Sequence, residues 1–316
     1  MRAGAYPRPP MPVAFLLCVE RGRLESQSLL CVESLREFGG DLASAPVYTF
    51  APRPGSEPSQ ATVAGLADLD AHYVDEPLNT DVGELPHANK VFACAWAEAQ
   101  LDHELLVFTD SDTVFLAEPA ELRPGDWEAA ARPVGAVNKG STGPGHRNEA
   151  DWQTLYEVLD VSARPFVQTV VGHERVRAYF NAGLVALRRE SGLAIAWREA
   201  TLRLLDSPVA ARAPMRRQID QLALGGILAD RFEAVKTLPN TYSYPLPKRI
   251  KLPAEMQALD LPDLVHVHGH RWLHLPGLLE AVHPPLDPTS EQYRWLDARL
   301  PLEPTIDEPF RFPKPG

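Results

Sequence analysis

The sequence has 316 residues, of which 45% are hydrophobic, enough apolar material for one large α/β domain or two ordinary ones. Its formal net charge is -11, which argues against a polyanionic nucleic acid as a partner. No apolar run is long enough to cross a bilayer, and the Pro-rich start, Met1 to Pro12, has no secretory pattern. We therefore expect a soluble, cytoplasmic protein without a membrane span.

The cysteines indicate a reducing environment. Cys18, Cys31 and Cys94 each lie in an apolar context, and their spacing is not that of metal ligands. We expect them to be reduced core residues, as in proteins of a reducing compartment.

The first part of the chain alternates predicted strands with predicted helices. Short apolar runs predict strands, and apolar residues at helical spacing predict helices. Strands that alternate with helices predict a mostly parallel central sheet with helices on its faces, an α/β fold. In chain order these elements are strand Val13–Val19, helix Arg23–Phe38 ended by Gly39-Gly40, strand Pro46–Phe50, helix Gln60–Leu69 and strand His72–Val74.

The remaining elements continue the pattern, and neither an internal repeat nor an interior linker divides the chain. We therefore predict a tail (1–12), one domain (13–283) and a Pro-rich extension packed on that domain (284–316). The predicted elements are helix Leu85–Leu101, strand Leu105–Phe108, extended segment Trp127–Pro133, strand Tyr179–Leu187, helices Glu190–Leu205 and Gln218–Leu228, and strands Phe232–Leu238 and Leu264–His268.

A loop rich in Gly, Ser and Thr spans Gly135 to Gly145. Such a segment is typical of a mobile lid over a binding site, and equally typical of a surface loop without a function. Both interpretations stay open.

A short acidic motif follows the predicted strand Leu105–Phe108. The strand is an apolar run, typical of burial on both faces, and it ends in Asp110-Ser111-Asp112. Because carboxylates are costly in a core, we expect both aspartates at the sheet edge where open α/β folds bind ligands. Neighbouring carboxylates repel each other, and a hard divalent cation such as Mg²⁺ or Mn²⁺ would relieve that repulsion.

Three interpretations of this motif are open from these residues alone. The first is the metal-binding Asp-x-Asp of enzymes that use sugar nucleotides. The second is the Asp-x-Asp-x-Thr nucleophile motif of haloacid-dehalogenase-type phosphatases, which Asp110, Asp112 and Thr113 satisfy. The third is an acidic turn without chemistry.

Polar residues also interrupt two later strands. Asn181 and Gly183 lie inside an apolar strand, where a glycine often marks the close approach of a ligand. His266, His268 and His270 alternate, so their side chains would point the same way in an extended segment. One of them could complete a metal site with the two aspartates. The His-x-His of metallohydrolase barrels is an alternative, although there it opens the first strand.

In their order, these motifs resemble a known enzyme family. The chain looks like the GT-A-fold glycosyltransferases, most like family 8, which includes glycogenin and the lipopolysaccharide galactosyltransferases. The resemblance runs roughly from Val13 to Trp272 and implies a single GT-A (Rossmann-like) domain. Its motifs are Asn89-Lys90, Leu-Val-Phe-Thr-Asp-Ser-Asp (106–112), Phe-Asn-Ala-Gly-Leu (180–184), Asp-Gln-x-x-Leu (220–224) and His-Val-His-Gly (266–269).

The resemblance implies transfer of a hexosyl group from a nucleotide diphosphate sugar to an acceptor hydroxyl. It implies Mn²⁺ or Mg²⁺ held by Asp110, Asp112 and His266, with His268 in reserve. Asn181, Asp220 and Gln221 would be the catalytic residues beside the donor sugar. The residues assigned to donor binding are Lys90, Asp110, Ser111, Asn181, Gly183, Asp220, Gly269 and Arg271.

Two parts of the chain depart from the family pattern. The family's Gly-x-x-Lys-Pro-Trp is shortened to Gly269-His270-Arg271-Trp272, so Arg271 would stand in for a diphosphate-binding lysine. The acidic pair usual after the first strand is replaced by Val19-Glu20-Arg21, which leaves Glu20 as the candidate for contact with the nucleotide base.

The resemblance also implies that the anomeric configuration is retained. An inverting enzyme would need a base near the acceptor, for which Glu174 and His173 are candidates. The phosphatase alternative needs its nucleophile on the first strand and a later acidic pair, for which only Asp260 and Asp263 are present. A non-catalytic sugar-nucleotide-binding protein is a further alternative, and the acceptor could be a saccharide, lipid, protein or small metabolite.

Overall fold

A computed structural model describes residues 12–305 of the chain. The predicted tail up to residue 11 and the last part of the predicted extension, 306–316, lie outside the described residues. The strands are β1 (Val13–Cys18), β2 (Val47–Phe50), β3 (Ala71–Val74), β4 (Leu105–Thr109), β5 (Thr113–Phe115), β6 (Ala129–Pro133), β7 (Phe166–Gln168), β8 (Arg175–Arg177), β9 (Phe180–Arg188), β10 (Val235–Thr237), β11 (Tyr244–Pro245) and β12 (His266–His268).

The helices of the described region vary from one turn to more than four turns. None of them combines the length and the apolar character that a membrane crossing needs. They are α1 (Arg23–Phe38), α2 (Gln60–Asp68), α3 (Asn89–Gln100), α4 (Glu149–Val158), α5 (Leu193–Leu205), α6 (Ala213–Arg216), α7 (Ile219–Ala229), α8 (Ala254–Gln257), α9 (Leu278–Ala281) and α10 (Glu291–Asp297).

A seven-stranded sheet in the order β10-β6-β9-β4-β1-β2-β3 forms the centre of the fold. The strands β1 to β4 pair in parallel, and so do β6 and β10. Strand β9 runs antiparallel between β4 and β6. The prediction of an α/β fold with a mostly parallel central sheet is confirmed.

Helices cover both faces of this sheet. The helices α3, α4, α5 and α7 pack on one face, and α1 and α2 pack on the other. Strand alternation supplies both cores, since Ala14 and Leu16 of β1 face the first and Phe15 and Leu17 the second. Strand β4 is buried along its whole length, so the chain leaves the core only at Asp110.

A smaller sheet, in the order β11-β12-β5, lies beside the central one. Strand β12 runs antiparallel to β5, with His268 opposite Thr113 and His266 opposite Phe115. Because β5 begins directly after Asp112, this pairing carries the histidine segment to the acidic motif although the two are about 150 residues apart in the chain.

The end of the described chain packs against its beginning. The Trp295 ring meets the Phe38 ring edge-on, with centroids 5.4 Å apart. The Leu302 amide donates a hydrogen bond to the Leu273 carbonyl at 2.8 Å. These residues belong to a third core cluster that includes Leu30 of α1.

Several short elements were not predicted from the sequence. Strands β5, β7 and β8 have three residues each, too few for a hydrophobic period to emerge. Helix α4 was also missed. The predicted helix 85–101 opens with the 3-10 turn Pro86–Ala88, and the predicted strand 232–238 opens with the 3-10 turn Phe232–Ala234.

Candidate functional site

Two cavities flank the loop that follows β4. The larger is about 490 Å³ and the smaller about 210 Å³, and Lys90, Asp110 and Asp112 line both. The loop lies where β4 leaves the core, next to the antiparallel strand β9. Such a sheet edge is where open α/β folds bind ligands.

Lys90 of α3 lies between two carboxylates on the larger cavity. Its Nζ is 2.8 Å from Asp110 Oδ1 and 3.8 Å from Asp220 Oδ2, and it also donates to the Ala182 carbonyl at 3.1 Å. Burial alone would lower the pKa of Lys90, but the two carboxylates raise it, and the net shift is upward. The ammonium group is therefore charged and holds β4, α7 and β9 together at the site.

Asp112 faces two imidazoles from the β12 segment. His270 Nδ1 lies 3.1 Å from Asp112 Oδ2, and His268 Nδ1 lies 3.9 Å from Asp112 Oδ1. Burial alone would raise the pKa of Asp112, but the two imidazoles hold it well below its usual range. Asp112 is therefore ionised at neutral pH and able to bind a cation.

The two imidazoles reach Asp112 through the local backbone. His268 ends β12, and the Gly269 and His270 amides both donate to the Asp112 carbonyl, at 3.0 and 3.2 Å. His270 then adopts a φ of 52°, which ends the extended segment and stacks its ring on that of His268, with centroids 5.3 Å apart.

The donor atoms of Asp112, His268 and His270 fit a metal ion. All three lie within 4.8 Å of one another. Both ring nitrogens of His268 are buried and have no hydrogen-bond partner among residues 12–305, which is costly unless a ligand binds there. Carboxylate and imidazole donors together suit a divalent ion such as Mn²⁺.

His266 occupies a different environment from His268. Its Nδ1 accepts a hydrogen bond from the Ser243 amide at 3.2 Å, and its Nε2 lies 3.0 Å from Thr109 Oγ1. It is fully buried, and burial lowers its pKa well below the usual value. Because both ring nitrogens are engaged in the core, His266 does not join the gathered donor atoms.

Gly183 of β9 provides room at the metal-ligand cluster. A Cβ at this position would lie 2.7 Å from His268 Cε1 and 2.8 Å from Asp110 Oδ2. Asn181 accepts a hydrogen bond from the Gly183 amide at 2.8 Å, and Gln221 faces the same strand. Asn181, Gly183 and Gln221 line the larger cavity, as does Asp220, whose pKa is raised by burial although Lys90 opposes that shift.

The smaller cavity contains two other residues that the sequence singled out, Ser111 and Glu20. The Ser111 hydroxyl donates to the Cys18 carbonyl. Both carboxylate oxygens of Glu20 accept from Arg53, at 2.5 and 2.8 Å, and Asn89 also donates to it at 2.7 Å. Glu20 is thus held by protein groups at the edge of the cavity.

Besides His266, four predicted residues do not line either cavity in the described region. Gly269 contributes its amide, which donates to the Asp112 carbonyl. Arg271 is exposed, and its guanidinium lies over the Trp272 ring, 5.2 Å from the ring centroid. His173 and Glu174 lie exposed in the turn between β7 and β8.

Apart from Lys90, the lysines and arginines that line the larger cavity were not predicted from the sequence. They are Arg132, Lys248 and Lys251, and His87, which also lines it, was missed as well. Arg132 could have been noticed, since it is an arginine inside the Ala-rich buried strand β6. The two lysines follow β11, a strand too short to detect.

The loop from Gly135 to Gly145 borders the larger cavity through Gly135, Ala136 and Asn138. Its position is compatible with a lid, which stays a prediction.

A family model described as Rhodobacterales glycosyltransferase domain matches residues 15–231. This match spans more than half of the chain and includes Asp110 and Asp112, whereas His268 and His270 lie beyond it. None of the curated proteins matches the sequence.

The chain is also similar to solved glycosyltransferase structures. For the apo form of GlyE from Streptococcus pneumoniae TIGR4, identity is 13% and the TM-score 0.49, covering 80% of this chain and 53% of that one, so this chain spans about half its length. Mouse xyloside xylosyltransferase 1 has 13% identity and a TM-score of 0.46, and the match covers 82% of this chain and 98% of that one. Galactosyltransferase LgtC in complex with donor and acceptor sugar analogs has 14% identity and a TM-score of 0.48, and the match covers 81% of this chain and 86% of that one. Likenesses at this level carry no functional argument.

Proposed function

Because the chain belongs to the family of Rhodobacterales glycosyltransferase domains, we propose that this enzyme is a metal-dependent glycosyltransferase with a GT-A domain. It moves a sugar from a nucleotide diphosphate sugar to an acceptor hydroxyl. The observation that carries the proposal is the ionised Asp112 facing His270 and the unpartnered nitrogens of His268. The cytoplasmic location, the domain boundaries and the more specific assignment to family 8 stay predictions.

The cation would be held by Asp112, His268 and His270. Ligand atoms around one such ion lie about 3 Å apart, since each lies roughly 2.1 Å from it, and His270 Nδ1 is 3.1 Å from Asp112 Oδ2. We propose Asp110 as a further ligand, because its Oδ2 faces the same space beside Gly183 as the His268 ring. The bound ion, Mn²⁺ or Mg²⁺, would stabilise negative charge on the leaving diphosphate.

The residues around Gly183 would position the donor. Asn181, Asp220 and Gln221 line the larger cavity and would orient the sugar hydroxyls, which removes entropy before reaction. Lys90 keeps the pair Asp110 and Asp220 in place. The nucleoside would fit the smaller cavity, on the other side of the loop.

Charge on the diphosphate also needs cations from the protein. Arg271, which the resemblance assigns to this role, does not line the cavities, whereas Lys248 and Lys251 do. We therefore propose that Lys248 and Lys251 bind the diphosphate and stabilise its negative charge. Retention of the anomeric configuration remains part of the proposal, and NMR of the first product formed would decide it.

The phosphatase alternative is not favoured. Asp110 follows the fourth strand in chain order, whereas the phosphatase motif needs its nucleophile on the first strand. We expect no release of phosphate from an aryl phosphate by the wild type.

The central experiment uses Asp112→Ala. We expect Mn²⁺ to promote binding of nucleotide sugars to the wild type, seen as a thermal shift across a donor panel. The variant should keep its circular dichroism spectrum and lose both the Mn²⁺-dependent shift and sugar transfer. Asp263→Ala, an exposed aspartate outside both cavities, is the matched control. Full transfer by Asp112→Ala in the presence of a chelator would end the proposal.

A further inference from the structure

Arg132 is a buried arginine on the wall of the larger cavity. Its side chain is 4% exposed, yet Nε and Nη1 have no hydrogen-bond partner among the described residues. An arginine presents five N–H donors in a planar fork, so most of its donor capacity is unused. Buried guanidinium groups are ordinarily paired, because an unpaired charge loses its hydration without compensation.

The local sheet geometry explains how this side chain comes to face the cavity. Strands β6 and β9 pair regularly up to Ala131 and Val185, but Pro133 pairs with Phe180. Two steps along β6 therefore correspond to five along β9, and Arg132 lies at this irregularity. Bulges of this kind commonly re-aim a side chain next to a binding site.

No acidic residue in the described part of the chain forms an ion pair with Arg132. Burial alone lowers its pKa to about 10, with no contribution from a carboxylate. Lys90, on the same cavity, differs in this respect, since Asp110 and Asp220 balance its charge. Arg132 thus keeps its positive charge at neutral pH with no counterion in the described protein.

Exposed residues on the same cavity carry positive charge, as Arg132 does. Lys248 and Lys251 are exposed and line this cavity, and neither has an ion pair within residues 12–305. The positive charge of these two exposed lysines would attract an anionic molecule to the cavity that Arg132 also lines.

We propose that Arg132 binds an anionic group, a carboxylate or a phosphoryl group, on the acceptor sugar. This inference rests on the proposed function, and it names the class of acceptor that the same site takes. A guanidinium fork matches the two oxygens of a carboxylate or phosphate. The donor diphosphate would instead lie with the cation at Asp112, His268 and His270.

The first experiment compares matched sugars on the wild-type protein. Glucuronate and glucose 6-phosphate are the anionic probes, and glucose is the neutral control, each tested by isothermal titration and by thermal shift at low salt. We expect the anionic sugars to bind and to raise the melting temperature, and glucose to do neither. Equal behaviour of glucose and both anionic sugars would overturn the proposal.

The second experiment uses Arg132→Met, which keeps much of the side-chain length and removes the charge. We expect the affinity for the anionic sugars to fall about 10-fold to 100-fold. The melting temperature without ligand should rise or stay equal, because an unpaired buried charge has been removed. Arg132→Lys should lower the affinity for the anionic sugars by an intermediate amount. Arg123 is an exposed arginine outside both cavities, and Arg123→Met should leave that affinity unchanged.

Manganese pyrophosphate separates this inference from the proposed function. Arg132→Met should keep the thermal shift with Mn²⁺ and pyrophosphate, whereas Asp112→Ala should lose that shift and still bind glucuronate or glucose 6-phosphate. Loss of pyrophosphate binding in Arg132→Met would assign Arg132 to the donor diphosphate and overturn the inference. Binding of the anionic sugars that survives in Arg132→Met would overturn it as well. In neither case would Asp112 lose its proposed role.

Discussion

At the scale of single residues, Lys90 shows how the site keeps two carboxylates close together. Asp110 directly follows β4 and Asp220 lies in α7, and the Lys90 ammonium lies between them. Asp220 and Lys90 are buried, at 4% and 8% exposure, so their charges interact strongly. The lysine therefore has a structural effect as well as a place at the proposed donor site.

We expect Lys90→Met to lower the free energy of unfolding by about 3 kcal/mol at pH 8, because it leaves the buried carboxylate of Asp220 without its partner. The pKa of Asp220 is already raised, and it would rise further without Lys90. A carboxyl group whose pKa is raised in the folded state stabilises that state at low pH. This stabilisation is lost as the pH rises through the raised pKa. The deficit should therefore shrink toward pH 4, which urea unfolding at both pH values would measure.

Lys236→Met is the control for this prediction. Lys236 is also paired with an acid, Glu121, at 2.6 Å, but both side chains are substantially exposed. Its loss should cost under about 1 kcal/mol. A Lys90→Met variant no less stable than this control would contradict our account of the buried cluster.

At the scale of elements, the pairing of β12 with β5 gives two neighbouring histidines opposite roles. His266 hydrogen-bonds to Thr109 and to the Ser243 amide within the core, whereas His268 faces Asp112 with both nitrogens unpartnered. The two rings remain only 5.6 Å apart. The position along one short strand therefore decides whether a histidine supports the sheet or is free to bind a metal.

The same substitution at both positions tests this division. His266→Phe should lower stability by about 1 to 3 kcal/mol, because it leaves the buried Ser243 amide without its partner and removes one hydrogen bond of the Thr109 hydroxyl. It should keep Mn²⁺ binding. His268→Phe should weaken Mn²⁺ binding and leave the ligand-free stability nearly unchanged. Thermal melts and titration with Mn²⁺ would measure both, and the reverse pattern would restore His266 as the ligand.

At the scale of the whole molecule, the chain's end stabilises its beginning. Helix α10 and the residues after it complete the third core cluster with α1 and the small sheet. Trp295 is the largest contribution from this end, with Phe38 on one side and the Arg299 guanidinium 3.9 Å from its ring. Strand β5, which follows the acidic motif, contacts this cluster through Val114.

We expect Trp295→Ala to lower the free energy of unfolding by about 3 kcal/mol, since it leaves a large cavity in that cluster. Denaturant unfolding would measure the loss. Mn²⁺ binding by the folded protein should persist, because Trp295 lines neither cavity. An unchanged stability would mean that residues 284–305 fold onto the domain without supporting it.

The sequence by itself determined the order of most of the longer strands and helices, although not α4, and the acidic motif at the end of β4. Both are local: hydrophobic periods along a few residues predict the elements, and a buried run that ends in Asp110-Ser111-Asp112 predicts a sheet-edge site. The mostly parallel sheet followed from the alternation of those elements, although the antiparallel direction of β9 did not.

Only the tertiary structure decided which side chains meet at that edge. His268 and His270 reach Asp112 because β12 pairs with a three-residue strand that has no detectable sequence period and because His270 then turns at a positive φ. The sequence places Arg132 inside an Ala-rich strand, but its lack of a counterion in the described region depends on all its neighbours and cannot be read from a local pattern. Long-range strand pairing sets these contacts, and the residues that it joins share no signal along the chain.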